Sequence, residues 1–267
     1  HKAIRRQRQM CKETDNIVYA AYIESNGTGS HDALWAEGEK NDNKGTITLK
    51  ADKENKIYGS VVGIDYAEVN IEGKQNVIAS NNIFGLNIAG NEPLDKRYYY
   101  AVLADGTQEL TADDRTEINI TATDGGVNEI FSNGGAYNYT ERAVFATEGG
   151  VVNINGSSII TADSWTENNA DDYQANNTAS ALIAGTYDWE NAEKDKNDKI
   201  IFDVADDERS VINLNYGNGS AVTGDIAAGY AGAVNIIGQS ADGITTFAND
   251  GEETVSASNS LQLNGNV

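Results

Sequence analysis

The chain has 267 residues, with 41 acidic against 19 basic residues and a formal net charge of −22. Such a surface repels polyanions, so the charge argues against a nucleic-acid partner. The single cysteine excludes a disulfide scaffold and a cysteine-ligated zinc site. No stretch approaches the roughly 18 apolar residues of a membrane helix, so we expect no membrane insertion of this segment.

The N-terminal segment differs in charge from the rest of the chain. Residues 1–12 hold five basic residues and no acid, which leaves a net charge of −27 on residues 13–267. No apolar run follows the basic stretch, so it is not an intact signal peptide. Residues 17–25 (IVYAAYIES) indicate a first strand pair or a cap over the end of a stack. We therefore divide the chain into an N-terminal basic segment and cap, 1–30, and a repeat domain, 31–267.

A strand–corner–strand unit recurs along the repeat domain. Three copies have thirteen residues each and end in Val-Asn-Ile-x-Gly, namely Val61–Gly73, Val144–Gly156 and Ile226–Gly238. Looser copies begin near Ala33, Ala101 and Ala181. A fixed unit joined by spacers of variable length is typical of a repeat architecture. The last residues, SLQLNGNV, also resemble part of a unit, so we expect the chain to be a piece of a longer protein.

Apolar and polar residues alternate within each unit, as in Val152-Asn153-Ile154. This alternation predicts strands with one buried face. A short strand usually precedes the unit, so each turn is predicted to hold three strands. Stacking them in a coil buries a column of aliphatic side chains and leaves open edges only at the two ends. The sequence thus predicts an all-β solenoid of roughly seven turns, about 4.8 Å apart, with irregular acidic loops.

The repeats resemble the passenger repeats of bacterial autotransporter adhesins, of the pertactin-like and self-associating kinds. The strings that carry the resemblance are AVFATEGGVVNINGSSIITAD, VVGIDYAEVNIEG and DIAAGYAGAVNIIG, and it covers about residues 30–250. It implies a right-handed parallel β-helix that is secreted through the outer membrane to the bacterial cell surface. The implied role is adhesion, self-association or biofilm formation, and the implied partner is a host or bacterial surface receptor or another copy. Because the acidic loops are unusually long for the family, no specific receptor is implied.

Four acidic residues fall at one position when the first strands are aligned on ALWAEG, VVGIDY, AVLADG and VFATEG. They are Glu37, Asp65, Asp105 and Glu148. On successive turns their carboxylates would stack along one corner, where like charges raise each other's pKa unless solvent or a cation screens them. Two interpretations stay open: a ridge that binds Ca²⁺ or contacts a ligand, and a solvated polar corner. The sequence indicates no other cofactor.

Asparagine recurs at a second common position, between the apolar residues of the second strand. The members are Asn70, Asn119, Asn153, Asn213 and Asn235, with Thr48 as the irregular member. Because they face outward between inward apolar neighbours, their amides are predicted to pair in a ladder along a flat face. The ladder is our candidate binding surface, and a purely structural ladder is the alternative.

Signals of catalysis are weak. The only histidines, His1 and His31, lie in neither a serine-nucleophile nor a zinc-protease motif. Parallel β-helices also occur in polysaccharide-cleaving enzymes, which need acid and base carboxylates on neighbouring turns. The cluster Asp203, Asp206, Asp207 and Glu208 allows that interpretation. The sequence predicts a non-catalytic adhesin segment, with a secreted polysaccharide-acting lyase or glycoside hydrolase as the alternative.

Overall fold

A computed structural model describes residues 13–19, 32–38, 44–80, 99–106, 115–133, 141–163, 180–185, 209–229, 231–240, 243–245, 260–265 and 267. These residues form strands and turns, and none of them belongs to a helix long and apolar enough to cross a membrane. The strands are β1 (Glu13–Tyr19), β2 (Asp32–Glu37), β3 (Gly45–Tyr58), β4 (Ser60–Ile64), β5 (Ala67–Ser80), β6 (Tyr99–Asp105), β7 (Glu117–Asn133), β8 (Glu141–Thr147), β9 (Val151–Asp163), β10 (Ser180–Ala184), β11 (Ser210–Tyr216), β12 (Ser220–Thr223), β13 (Asp225–Ala228), β14 (Gly232–Ser240), β15 (Gly243–Thr245) and β16 (Leu261–Asn264).

The strands stack into three faces of a parallel β-helix. The first face is the sheet β2-β4-β6-β8-β10-β13. The long strands β3, β5, β7 and β9 form the other two, because each bends midway, where the pairing register shifts. Strand β9 shows the division directly, since residues 151–156 pair with β11 on the second face and residues 159–161 pair with β12 on the third.

Successive turns of this chain, which we number as coils 1 to 7, each contribute up to three strands. Coil 1 contributes β1, coils 2 to 5 contribute β2–β3, β4–β5, β6–β7 and β8–β9, coil 6 contributes β10–β12, and coil 7 contributes β13, β14 and β16. Strand β1 lies within the segment assigned to the cap and pairs in parallel with β3. The predicted all-β solenoid with three parallel strands per turn is confirmed, and its right-handedness stays a prediction.

Columns of aliphatic side chains fill the space between the faces. On the second face Val69, Ile118, Val152 and Ile212 lie in register, and so do Ile71, Ile120, Ile154 and Leu214. All of these side chains are buried. Fully burying one such side chain contributes roughly 1.5–3 kcal/mol. The repeated Val-Asn-Ile sequence thus supplies two adjacent core columns from each coil.

Two-residue corners explain why the repeat units have equal length. In coil 3 the first and second faces are joined by Asp65-Tyr66, and in coil 5 by Glu148-Gly149 and then Gly150, which occupies the register position of Ala67. Asp65, Tyr66, Glu148 and Gly149 all have positive φ between 49° and 83°. Hydroxyls of the following coil hold these corners. The Thr116 Oγ1 accepts from the backbone nitrogens of Tyr66 and Ala67 at 3.1 and 3.3 Å, and the Ser210 Oγ accepts from the nitrogen of Gly149 at 3.1 Å. Such bonds offset the cost of left-handed backbone at non-glycine residues.

Exchanging isoleucine for asparagine on the two sides of β9 tests this core. We expect Ile154→Asn to lower the free energy of unfolding by roughly 2–5 kcal/mol, because Ile154 is 0% exposed and the new amide has no partner there. The control Ile159→Asn lies on the outer side of the same strand at 43% exposure, and it should cost less than about 1 kcal/mol. Urea unfolding measures both, and equal losses would contradict the assignment of inner and outer sides.

Candidate functional site

The predicted asparagines of the second face form one continuous outer ladder. They lie opposite each other in successive coils, and Thr48 is in register with Asn70. Each Nδ2 donates to the Oδ1 of the preceding coil: Asn119 to Asn70 at 3.0 Å, Asn153 to Asn119 at 2.8 Å, Asn213 to Asn153 at 2.8 Å and Asn235 to Asn213 at 2.8 Å. The predicted amide ladder is therefore confirmed, and its role in binding stays a prediction.

Each ladder asparagine keeps hydrogen-bonding capacity for a partner. An amide has two donor hydrogens and two acceptor lone pairs, and the ladder uses one of each in its interior members. Asn70, Asn119, Asn153 and Asn213 are partly exposed, and Asn235 is exposed. The outer ladder thus offers one N–H and one lone pair per coil at the strand spacing of about 4.8 Å.

Charge is unevenly distributed along the second face. In coils 2 to 4 four of the nine outward positions are ionisable, namely Lys50, Glu68, Glu72 and Glu117. In coils 5 to 7 none of the nine is ionisable. We call these nine residues the amide panel, and they are Val151, Asn153, Asn155, Val211, Asn213, Asn215, Ala233, Asn235 and Ile237. The Nδ2 of Asn215 donates to the Oδ1 of Asn155 at 2.7 Å, which adds a second, shorter amide row.

A second, inner asparagine ladder lies inside the third face, and it was not predicted from the sequence. Asn55, Asn76, Asn128 and Ser158 are all 0% exposed and in register. The Nδ2 donors run toward the C-terminus: Asn16 to Asn55 at 2.8 Å, Asn55 to Asn76 at 2.7 Å, Asn76 to Asn128 at 2.8 Å, and Asn128 to the Oγ of Ser158 at 3.3 Å. Buried amides are thereby fully paired along the axis of the rod.

The inner ladder also holds the corner between the second and third faces. Each amide donates its other hydrogen to a backbone carbonyl there, as Asn55 does to Glu72 at 3.0 Å and Asn76 to Thr121 at 2.9 Å. A Cβ on Gly73 would lie 2.7 Å from the Nδ2 of Asn55 and 3.0 Å from the Oδ1 of Asn76. The closing glycine of this repeat unit is therefore required by the amides packed beneath it.

The four acidic residues do not share one register position, so that part of the prediction is wrong. Glu37 lies opposite Ile64, Ile64 opposite Asp105, and Asp105 opposite Thr147. Glu37 and Asp105 therefore end strands at the same position, whereas Asp65 and Glu148 come one residue later, on the two-residue corners. The physical reason is that the inward side chains set the register. Val61 stacks on Val102, and Val102 on Val144, so that Val61 is not opposite the small residue Ala101.

The acidic residues of neighbouring coils nevertheless interact, as the sequence analysis predicted. Burial, followed by the charges of Glu148 and Asp65, raises the pKa of Asp105 to about 7, and its Oδ1 is buried without a hydrogen-bond partner among the described residues. Burial and then Glu37 raise the pKa of Asp65, and burial and then Asp65 raise that of Glu148. In the described part of the chain, no three His, Cys, Asp or Glu side chains are grouped as a metal site requires. The geometry therefore gives the Ca²⁺ interpretation no support.

The other candidate groups lie outside the described residues. These are the histidines His1 and His31 and the acidic cluster Asp203, Asp206, Asp207 and Glu208. No family model, curated protein or solved structure matches the chain. The resemblance to autotransporter passengers accordingly stays a prediction from the sequence, and the candidate site is defined by its own geometry.

Two asparagines of β5 test the inner against the outer ladder. We expect Asn76→Ala to lower the free energy of unfolding by roughly 2–4 kcal/mol, because it leaves buried groups of Asn55, Asn128 and the Thr121 carbonyl unpaired. Asn70→Ala removes the same atoms from a partly exposed position and should cost about 1 kcal/mol or less. Urea unfolding of both variants decides, and a larger loss for Asn70→Ala would contradict the assigned roles.

The raised pKa of Asp105 predicts how stability varies with pH. Because the folded-state value of about 7 exceeds the ordinary 3.8, the folded protein binds the proton more tightly than the unfolded chain. The contribution of this group is thus full below pH 3.8 and is lost as the pH rises to about 7.

We therefore expect Asp105→Asn to stabilise the protein at pH above 7 and to change little at pH below 4. With reduction for solvent screening, the gain should be about 1–2 kcal/mol. Thermal melting across this pH range measures it, and Glu117→Gln on the second face controls for the loss of one charge. A gain that is the same at both ends of the pH range would contradict the assignment.

Proposed function

We propose that this chain is a non-catalytic segment of a bacterial cell-surface adhesin, exported through the outer membrane, that associates with other copies through the amide panel. The observation that carries the proposal is the continuous outer ladder, which presents paired amides on a flat face of a rigid parallel β-helix. The repeat pattern and its resemblance to autotransporter passengers support the location and the class of function.

The charge of the chain favours an uncharged part of the surface for contact between copies. Two molecules that each carry −22 repel within a Debye length of about 10 Å at 0.1 M salt. Contact is therefore least unfavourable where the outward side chains carry no charge. The amide panel fulfils this condition, whereas Glu68, Glu72 and Glu117 occupy the equivalent positions in coils 3 and 4.

The side chains of the panel supply both kinds of contact that association needs. Aliphatic residues such as Val211 and Ile237 alternate with amides that retain a free donor and acceptor capacity. The panel spans three strands of about five residues, which corresponds to roughly 250 Å². This area is well below the roughly 800 Å² per partner of a stable complex. A single contact is thus weak, and dense display on a cell raises the overall strength through multivalency.

Aggregation of bacteria that display the chain tests the proposal. We expect the double variant Asn153→Asp, Asn213→Asp to settle at least about tenfold more slowly than the parent, because four adjacent charges then face each other across the contact at each encounter. The control Thr161→Asp with Thr223→Asp adds the same charge on the third face and should aggregate like the parent. Equal slowing by both pairs of changes would contradict a specific role of the amide panel.

Two further measurements distinguish the other candidate functions. Aggregation that is lost on chelation of Ca²⁺ and in Asp105→Asn with Glu148→Gln, but not in the asparagine variants, would overturn the proposal in favour of cation bridging. Release of reducing sugars or unsaturated uronides from neutral and acidic polysaccharides would contradict the non-catalytic assignment. A parent that binds host cells without self-aggregation would instead indicate a surface receptor as partner.

A further inference from the structure

Three asparagine–glycine pairs lie within the described residues, and they differ sharply in their surroundings. They are Asn155-Gly156, Asn218-Gly219 and Asn264-Gly265. Asparagine followed by glycine is the pair most prone to spontaneous loss of the side-chain amide, because glycine has no side chain to hinder approach of its backbone nitrogen to the asparagine Cγ. Whether the reaction occurs in a folded protein depends on the freedom of the side chain and of the following peptide.

The Asn155-Gly156 pair is held by side-chain hydrogen bonds and by close packing. The Oδ1 of Asn155 accepts from Asn215 at 2.7 Å, and its Nδ2 donates to the Oγ1 of Thr121 at 3.5 Å. A Cβ on Gly156 would lie 3.0 Å from the Cβ and from the carbonyl oxygen of Ala122. Rotation of the Asn155 side chain toward the Gly156 nitrogen therefore requires breaking the amide row.

Asn218-Gly219 lies open at the turn between β11 and β12. Both residues are exposed, and no atom lies within 4 Å of a Cβ built on Gly219. The Oδ1 of Asn218 receives one long hydrogen bond, from the Oγ of Ser260 at 3.5 Å. The third pair is exposed as well, but the Oδ1 of Asn264 accepts from the Nε2 of Gln262 at 3.2 Å and its Nδ2 donates to the Oγ1 of Thr223 at 3.3 Å. A Cβ on Gly265 would lie 2.2 Å from the carbonyl oxygen of Gly224, so the backbone of the third pair also has little room to move.

We propose that Asn218 is a site of spontaneous deamidation. The backbone nitrogen of Gly219 attacks the side-chain Cγ of Asn218, its proton is lost to water, and ammonia leaves as the C–N bond of the amide breaks. Water then adds to either carbonyl of the cyclic imide and opens it to aspartate or isoaspartate. The net reaction consumes one water and releases one ammonia, with no oxidant, enzyme or metal.

The product alters the corner next to the amide panel in two ways. It places a carboxylate three residues after Asn215, the last panel residue of β11. Where isoaspartate forms, one methylene enters the backbone at a turn whose Asn218 carbonyl accepts from the Oγ of Ser157 at 2.8 Å. The reaction therefore adds charge beside the contact surface and loosens the bond between coils 5 and 6. Its effect on association rests on the proposed function, whereas the chemistry at Asn218 does not.

Ageing of the purified full chain at mildly alkaline pH, followed by peptide mass mapping and an isoaspartate assay, tests the proposal. We expect Asn218 to react at least about tenfold faster than Asn155, equivalent to about 1.4 kcal/mol, because Asn155 must first leave a hydrogen bond of 2.7 Å, whereas Asn218 leaves one of 3.5 Å. In concentrated urea the two Asn-Gly-Ser sequences should react at similar rates. Equal rates in the folded chain, or faster reaction at Asn155, would overturn the proposal.

Two single substitutions, Asn218→Ser and Asn215→Ser, test the two sites separately. Asn218→Ser should abolish the fast product and leave the melting temperature of fresh protein unchanged, because residue 218 is exposed. Asn215→Ser should accelerate the reaction at Asn155, whose Oδ1 loses its donor. An unchanged rate at Asn155 in that variant would contradict protection by the amide row. Aged parent that is deamidated yet aggregates like fresh protein would count against the proposed panel and not against the site at Asn218.

Discussion

Every buried asparagine of the inner ladder has to meet an amide or a hydroxyl in the next coil, and this requirement fixes how the coils stack. Asn55, Asn76 and Asn128 are completely buried in the third face. An unpaired amide at such a position would lower the free energy of unfolding by about 1–3 kcal/mol. A slip of two residues, which keeps the same side of the strand inward, would bring Ile57, Ile78 or Ile130 opposite an amide and leave that amide unpaired. The ladder therefore fixes the register in a way that the aliphatic columns alone do not. A buried isoleucine packs nearly as well against one aliphatic neighbour as against the next one along the strand.

The same register produces the candidate contact surface. In the coils that the inner ladder joins, up to coil 5, the outward residues of the second face fall into rows. From coil 5 to coil 7 the column of Val152, Ile212 and Val234 continues the same rows. What differs between coils is then only which side chains occupy the rows. The N-terminal coils place Glu68, Glu72 and Glu117 there, and the C-terminal coils place neutral residues. A regular backbone thus allows charge to vary along the rod while the hydrogen-bonded amides stay in place.

The fold and the outer ladder could be predicted from the sequence, because Val-Asn-Ile repeats at the period that parallel strands require. The acidic corner could be predicted only in part. The alignment placed Val61 and Val144 level with Ala101, whereas both valines share the register of the next residue, Val102. The inner ladder was missed because alternation suggests that a polar residue faces outward. A usable signal was present, since Asn55, Asn76 and Asn128 each precede a buried isoleucine by two residues and so share its side.

The two ladders run in opposite directions along the rod, and this has an electrostatic consequence. Between coils, the amides of the outer ladder donate toward the N-terminus and those of the inner ladder toward the C-terminus, so their side-chain dipoles oppose each other in coils 3 and 4, where both ladders have amides. The N-terminal end of the outer ladder is bound to a carboxylate, because the Nδ2 of Asn70 donates to the Oε1 of Glu68 at 2.7 Å. That hydrogen bond, followed by the one from Lys44, lowers the pKa of Glu68. A row of aligned amides thereby acts on its terminal anion as the amino end of an α-helix acts on a capping carboxylate, in a protein face that contains no helix.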